Sequence, residues 1–123
     1  MNNIAVKLKK IILVEDHELT RIGLKVALEK YKDIKVIGET ASGKEAVELV
    51  KKLNPDVVLM DIGLRELDGI EATRLVKENN PNVKVIMVTS HEGEQEVFAS
   101  FSSGADGYAV KESKPEQIYN AIE

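Results

Sequence analysis

The sequence predicts a doubly wound α/β domain: one parallel sheet covered by helices on both faces. Three observations carry that reading. Short, β-branched apolar runs occur at 11–14, 34–37, 57–60 and 83–88, with a weaker fifth at 107–110, and continuous runs of this length suit strands buried on both faces. Stretches with helical spacing of apolar residues lie between them. The regular alternation of the two is the pattern of βα units joined by right-handed crossovers.

Taken in order, the first run ends in the acidic pair Glu15-Asp16. Leu19, Ile22, Gly23 and Val26 then form one stripe, which predicts a first helix with that stripe toward the core. After the second run, Ser42 with Glu45 reads as a capping box. The helix it opens carries Ala46, Leu49, Val50 and Leu53, and Asn54-Pro55 closes it. The third run ends at Asp61. Asp68 with Glu71 repeats the cap in its aspartate form, Ala72, Leu75 and Val76 follow, and Asn80-Pro81 ends that helix. The fourth run leads into Thr89 and Ser90. The stretch 94–103 offers only Val97, Phe98 and Phe101 in a polar background, so it predicts the least firmly anchored helix. Gly107 predicts a tight approach into the fifth strand. Ser113 with Glu116 reads as the cap of a last helix bearing Ile118, Ala121 and Ile122. Of the few topologies left, the flavodoxin-like order 2-1-3-4-5 leads, with its ligand crevice between strands 1 and 3.

A chain of 123 residues fits one domain at 10–123 behind a short tail at 1–9. The formal net charge of −4 gives no global basic footprint for nucleic acid, and Lys7, Lys9 and Lys10 read as a solvated tail. With no cysteine, disulfides and thiolate metal sites are excluded. No apolar run approaches the length of a signal peptide or a membrane span, so no membrane partner and a cytoplasmic location are expected.

The strand ends carry the chemistry. Glu15, Asp16, Asp61, Thr89 and Lys111 all follow or end strands at the carboxyl edge, where open α/β sheets bind ligands. Three carboxylates gathered there repel one another unless a cation sits among them. Mg²⁺ suits such a set, because it takes one or two carboxylates and completes its shell with water and phosphate oxygens. Asp16 and Asp61 are the natural direct ligands, Glu15 could act through a water, and the Gly63 carbonyl lies in the next loop. Asp61 is then a candidate nucleophile toward phosphorus. Lys111 and the Thr89 hydroxyl could each take a phosphoryl oxygen. His17 and His91 read as surface residues, and Gly104 with Gly107 is not a dinucleotide fingerprint. Two other readings compete. A phosphohydrolase would want a second acid near Asp61, where Ile62 and Gly63 offer none; a flavin carrier would want a phosphate-cradling loop, where Glu15-Asp16 would repel phosphate.

ILVEDHELTR at 12–21, DVVLMDIGLRELDGIEATR at 56–74, VIMVTS at 85–90 and GADGYAVK at 104–111 together resemble the receiver domains of two-component response regulators. The wording is most like the subgroup that carries a C-terminal helix-turn-helix for DNA binding. The resemblance implies a signalling switch rather than an enzyme. It implies that a sensor histidine kinase donates a phosphoryl group to Asp61, that Glu15 and Asp16 bind the metal, and that Lys111 contacts the phosphate. It makes Thr89 and Tyr108 the switch pair and implies a homodimer on phosphorylation. DNA would be contacted by another domain, not by this one. Arg65 and Glu112 stand where the family usually or often has proline; against a third reading, a receiver that signals through interactions alone, stands the complete site, while Arg65 favours it. The chain ends at Glu123 inside the last predicted helix, which is expected to be truncated.

Overall fold

The computed structural model describes residues 8–62, 64, 68–89, 102–110 and 114–123. Strands β1 (Lys9–Val14), β2 (Ile34–Thr40), β3 (Val57–Asp61), β4 (Lys84–Thr89) and β5 (Gly107–Val110) form one sheet in the order β2-β1-β3-β4-β5. Every pairing is parallel. The predicted topology is therefore the observed one. Helices α1 (Glu18–Leu28), α2 (Gly43–Leu53), α3 (Gly69–Asn79) and α4 (Pro115–Ile122) complete the described elements. The helix expected over 94–103 falls, but for its last two residues, outside the described part.

Strand alternation divides the core into two layers. Ile12, Val14, Val58, Met60, Val85 and Met87 face α2 and α3, and meet Ala46, Val50, Ala72 and Val76. Ile11, Leu13, Val57, Leu59, Ile86 and Val88 point the other way, onto Leu28 of α1 and Ile118 and Ile122 of α4. Each fully buried aliphatic side chain contributes about 1.5–3 kcal/mol of transfer free energy, so both helix layers are held mainly by this burial. Gly107 confirms its expected role: a Cβ there would stand 2.7 Å from Ile86 Cδ1.

Two helix expectations are corrected. The stripe of α1 faces outward, with Leu19 77%, Ile22 47% and Val26 58% exposed. The helix buries Leu28 and packs Leu24 against the same core. Two apolar arcs compete on this helix, and a tertiary contact decides between them. Arg21 and Lys25, next to the Leu24/Leu28 arc, reach across to Glu39 on β2 at 3.1 and 3.2 Å. The last helix starts one residue later than expected, with Lys114 as its N-cap and Ala121 exposed. Pro115 explains the start: its ring fits the first helical turn and forces an extended residue before it, and Lys114 has ψ 148°. The caps at Ser42 and Asp68 form as expected, accepting from Glu45 N–H at 3.2 Å and Glu71 N–H at 2.8 Å. Asn54 closes α2 in the left-handed conformation, φ 50°.

The terminal helix is also pinned by a contact with no sequence signal. Tyr119 stacks on Tyr31 with ring centroids 3.9 Å apart. Its hydroxyl donates to Asp33 at 2.8 Å. That hydrogen bond, with burial and the nearby charge of Asp33 adding to it, pushes the phenol up to about 12. A pKa raised in the folded state means that the contribution is complete below the unfolded value, about 10. It is lost as pH rises through about 12. Alkaline titration by phenolate absorbance should show one of the three tyrosines ionising late. Asp33→Asn should bring it back to the ordinary range; a late step that survives in Tyr119→Phe would contradict the assignment.

Candidate functional site

The site lies at the carboxyl edge, where the chain leaves β1 and β3, neighbours that form the switch point of the sheet. Glu15 follows β1 directly, and its N–H donates to the Thr40 carbonyl at 3.0 Å, extending the β1–β2 ladder by one bond. Asp61 is the last residue of β3 and pairs in register with Val88 of β4. Glu15 is 2% and Asp61 5% exposed, while Asp16 is half-buried.

One carboxylate oxygen from each of Glu15, Asp16 and Asp61 lies within 4.8 Å of the others. At an effective dielectric of about 20, two unit charges at that spacing repel by roughly 3 kcal/mol. Three hard oxygen donors at this spacing could hold a divalent cation such as Mg²⁺. The structure thus brings together the three carboxylates that the sequence singled out.

The other expected residues are placed in part. Thr89 ends β4 with its backbone paired to Val110. Tyr108 lies on β5 opposite Met87 of β4, half-buried against the α2/α3 core layer. Gly63, the Thr89 side chain and Lys111 lie outside the described residues, as do Arg65, His91 and Glu112. His17 is exposed at the start of α1, as predicted. Its backbone N–H donates to Glu15 Oε2 at 2.9 Å and its Nδ1 pairs with Thr20 Oγ1 at 2.9 Å.

Sequence reasoning missed two features of the site. Arg21 Nη1 donates to the Glu15 carbonyl at 2.9 Å, while its Nε donates to Glu39 at 3.1 Å. Gly69, the first residue of α3, sits against the end of β3: a Cβ there would stand 2.0 Å from the Asp61 carbonyl oxygen and 2.8 Å from Ile62 Cα. The Gly69 N–H donates to the Ile62 carbonyl at 3.0 Å, closing the loop after β3. The pair Asp68-Gly69 was visible as a helix start, but nothing local signals a contact with a strand eight residues back.

Fold and site together define a doubly wound α/β domain with an acidic, metal-competent crevice at the β1/β3 switch point. The chain belongs to the response regulator receiver domain family, whose pattern matches residues 11–123; it is the receiver part of a two-component system. It is 41% identical over 113 residues to the response regulator protein VraR of Staphylococcus aureus, covering 92% of this chain and 54% of that protein. The VraR of Staphylococcus saprophyticus is 43% identical over the same length. The chain thus spans about half the length of the curated relatives it matches. Among solved structures, a LuxR-family two-component response regulator from Aurantimonas superposes with TM-score 0.90 at 34% identity, covering 94% of this chain and 83% of that one. A LuxR-family DNA-binding response regulator from Staphylococcus aureus gives 0.88 at 26% identity, covering 94% and 96%. No helix among the described residues is long and apolar enough to cross a membrane.

Proposed function

We propose that this domain is a phosphorylation switch in which Asp61 accepts a phosphoryl group from a phosphohistidine of a sensor histidine kinase. The observation that carries the reading is the convergence of Glu15, Asp16 and Asp61 within 4.8 Å at the switch point. An Asp61 carboxylate oxygen attacks phosphorus; the P–N bond breaks, its electron pair stays on the imidazole nitrogen, and an acyl phosphate forms. Carboxylates serve as nucleophiles of this kind in aspartyl-phosphate chemistry. Glu15, Asp16, Asp61 and the Gly63 carbonyl would hold Mg²⁺, which supplies charge neutralisation at a phosphoryl oxygen. Lys111 and the Thr89 hydroxyl would take the remaining oxygens. Drawing in Thr89 would open space for Tyr108 on the neighbouring strand, a local charge change read out by packing. The output in this proposal is transcription control by a DNA-binding domain outside these residues. Incubation with acetyl phosphate and Mg²⁺ followed by intact mass tests the reading. A single hydroxylamine-sensitive phosphoryl adduct is expected; steady turnover of a small phosphate ester would favour the hydrolase instead.

The outward stripe of α1 fits the donor. Leu19, Ile22 and Val26 are spaced as one helix face and start three residues beyond the acidic pair. An exposed apolar helix face of this kind can receive an amphipathic helix of the kinase. Val26→Asp with Leu19→Asp should therefore slow transfer from the cognate kinase by at least about tenfold, the effect of losing roughly 1.4 kcal/mol of docking. Labelling by acetyl phosphate should not change. Equal loss with both donors would place the defect in the site and not in docking.

A further inference from the structure

We propose that Arg21 and Glu39 form a positioning clamp that fixes the acidic end of β1 for metal binding; the inference rests on the Mg²⁺ reading above. Glu15 lies just past the end of β1, so its backbone is fixed from outside the ladder with β3. Its N–H is held by the Thr40 carbonyl at 3.0 Å. Its carbonyl accepts from Arg21 Nη1 at 2.9 Å. Its Oε2 accepts from the His17 N–H at 2.9 Å. The Arg21 guanidinium spans two elements, since its Nε donates to Glu39 Oε1 on β2 at 3.1 Å. Glu39 is in turn held by Lys25 Nζ at 3.2 Å. The side chains of Arg21 and Glu39 are only 18% and 32% exposed, so the clamp is partly shielded from water. Lys25 first, and then Arg21, hold the Glu39 carboxyl below the usual carboxylate range, which keeps it charged at neutral pH.

The position of Arg21 is informative because its charge alone works against a cation bound among the carboxylates. As a through-space charge, its removal would tighten Mg²⁺ binding; as a positioning residue, its removal loosens it. The two roles therefore predict opposite signs. A lysine retains the charge but offers one ammonium point where two acceptors need a planar fork, so it cannot reproduce the clamp.

The test is the Mg²⁺ dissociation constant, followed by amide NMR shifts during titration with MgCl₂, in the parent, Arg21→Met, Arg21→Lys and Glu39→Gln. Asp16→Ala serves as the reference for loss of a direct ligand. Arg21→Met should weaken Mg²⁺ binding about tenfold, the scale seen when groups that orient metal ligands are lost. Arg21→Lys should stay close to the Met variant, and Glu39→Gln should shift the same way by less. Mg²⁺ binding in Arg21→Met that equals or exceeds the parent's, or parental affinity in Arg21→Lys, would overturn the clamp. If Arg21→Met does not fold, Arg21→Lys and Glu39→Gln decide alone, and parental affinity in Arg21→Lys again overturns the proposal. A parent that binds Mg²⁺ and loses it only in Asp16→Ala leaves the metal reading standing without the clamp. A parent that binds no Mg²⁺ removes both.

Discussion

Asp61→Asn should gain no phosphoryl adduct from acetyl phosphate or from the kinase, and yet should melt higher than the parent in Mg²⁺-free buffer. The two effects share one cause. The amide nitrogen and oxygen are poor nucleophiles toward phosphorus, so the covalent step stops. The same substitution removes one of three carboxylates within 4.8 Å of one another, two of them nearly inaccessible to water. Relief of even 1 kcal/mol of repulsion raises the melting temperature by about 3–5 °C in a domain of this size. Adding Mg²⁺ should then stabilise the parent more than the variant, because a ligand stabilises in proportion to its affinity for the folded state. Intact mass and thermal melts with and without Mg²⁺ check both signs. An adduct on the Asn variant at the parental rate would remove Asp61 as acceptor. A lower melting point in Mg²⁺-free buffer would remove the idea that the acidic cluster is held together against its own charge.

How much of this could be read from the chain depends on the range of each interaction. Strands were legible because burial on both faces leaves short, mostly apolar β-branched runs, and the acids at their ends were legible because parallel strands all deliver their carboxyl ends to one edge. Ser42 and Asp68 were legible because a cap is a contact three residues long. The inward face of α1 was not. Leu19, Ile22 and Val26 make the stronger periodic stripe, but Leu28 is buried and Leu24 packs on the core, with Arg21 and Lys25 reaching Glu39 beside them; all of these are tertiary contacts. The stack of Tyr31 on Tyr119 joins the corner before β2 to the last helix and leaves no periodic trace. The start of α4 was misread for a different reason: Ser113 looked like a cap, but the conformational limits of Pro115 take precedence over a capping preference.

Gly69→Ala should destabilise the domain strongly, against the usual sign for a helical glycine. Glycine in an ordinary helix costs roughly 0.5–1 kcal/mol relative to alanine, so Gly→Ala there normally stabilises. Gly23 in α1 is such a case: a Cβ would meet no heavy atom within 4 Å, and Gly23→Ala should raise stability by about that amount. At Gly69 the sign reverses. The added carbon would stand 2.0 Å from the Asp61 carbonyl oxygen and 2.8 Å from both the Asp61 carbonyl carbon and Ile62 Cα. These are backbone atoms, so no rotamer change can move them aside, and either α3 or the end of β3 must shift. Overpacking in a well-filled core costs about 1–3 kcal/mol even where side chains can yield. A backbone overlap therefore predicts about 3 kcal/mol or more for Gly69→Ala. The displaced atoms belong to Asp61, the proposed acceptor, and to Ile62, so labelling of the surviving folded protein should slow as well. Urea unfolding of the two alanine variants beside the parent gives the comparison. Midpoints that move in opposite directions are expected. A Gly69→Ala protein as stable as the parent would mean that α3 is not seated on the Asp61 backbone as closely as this geometry requires.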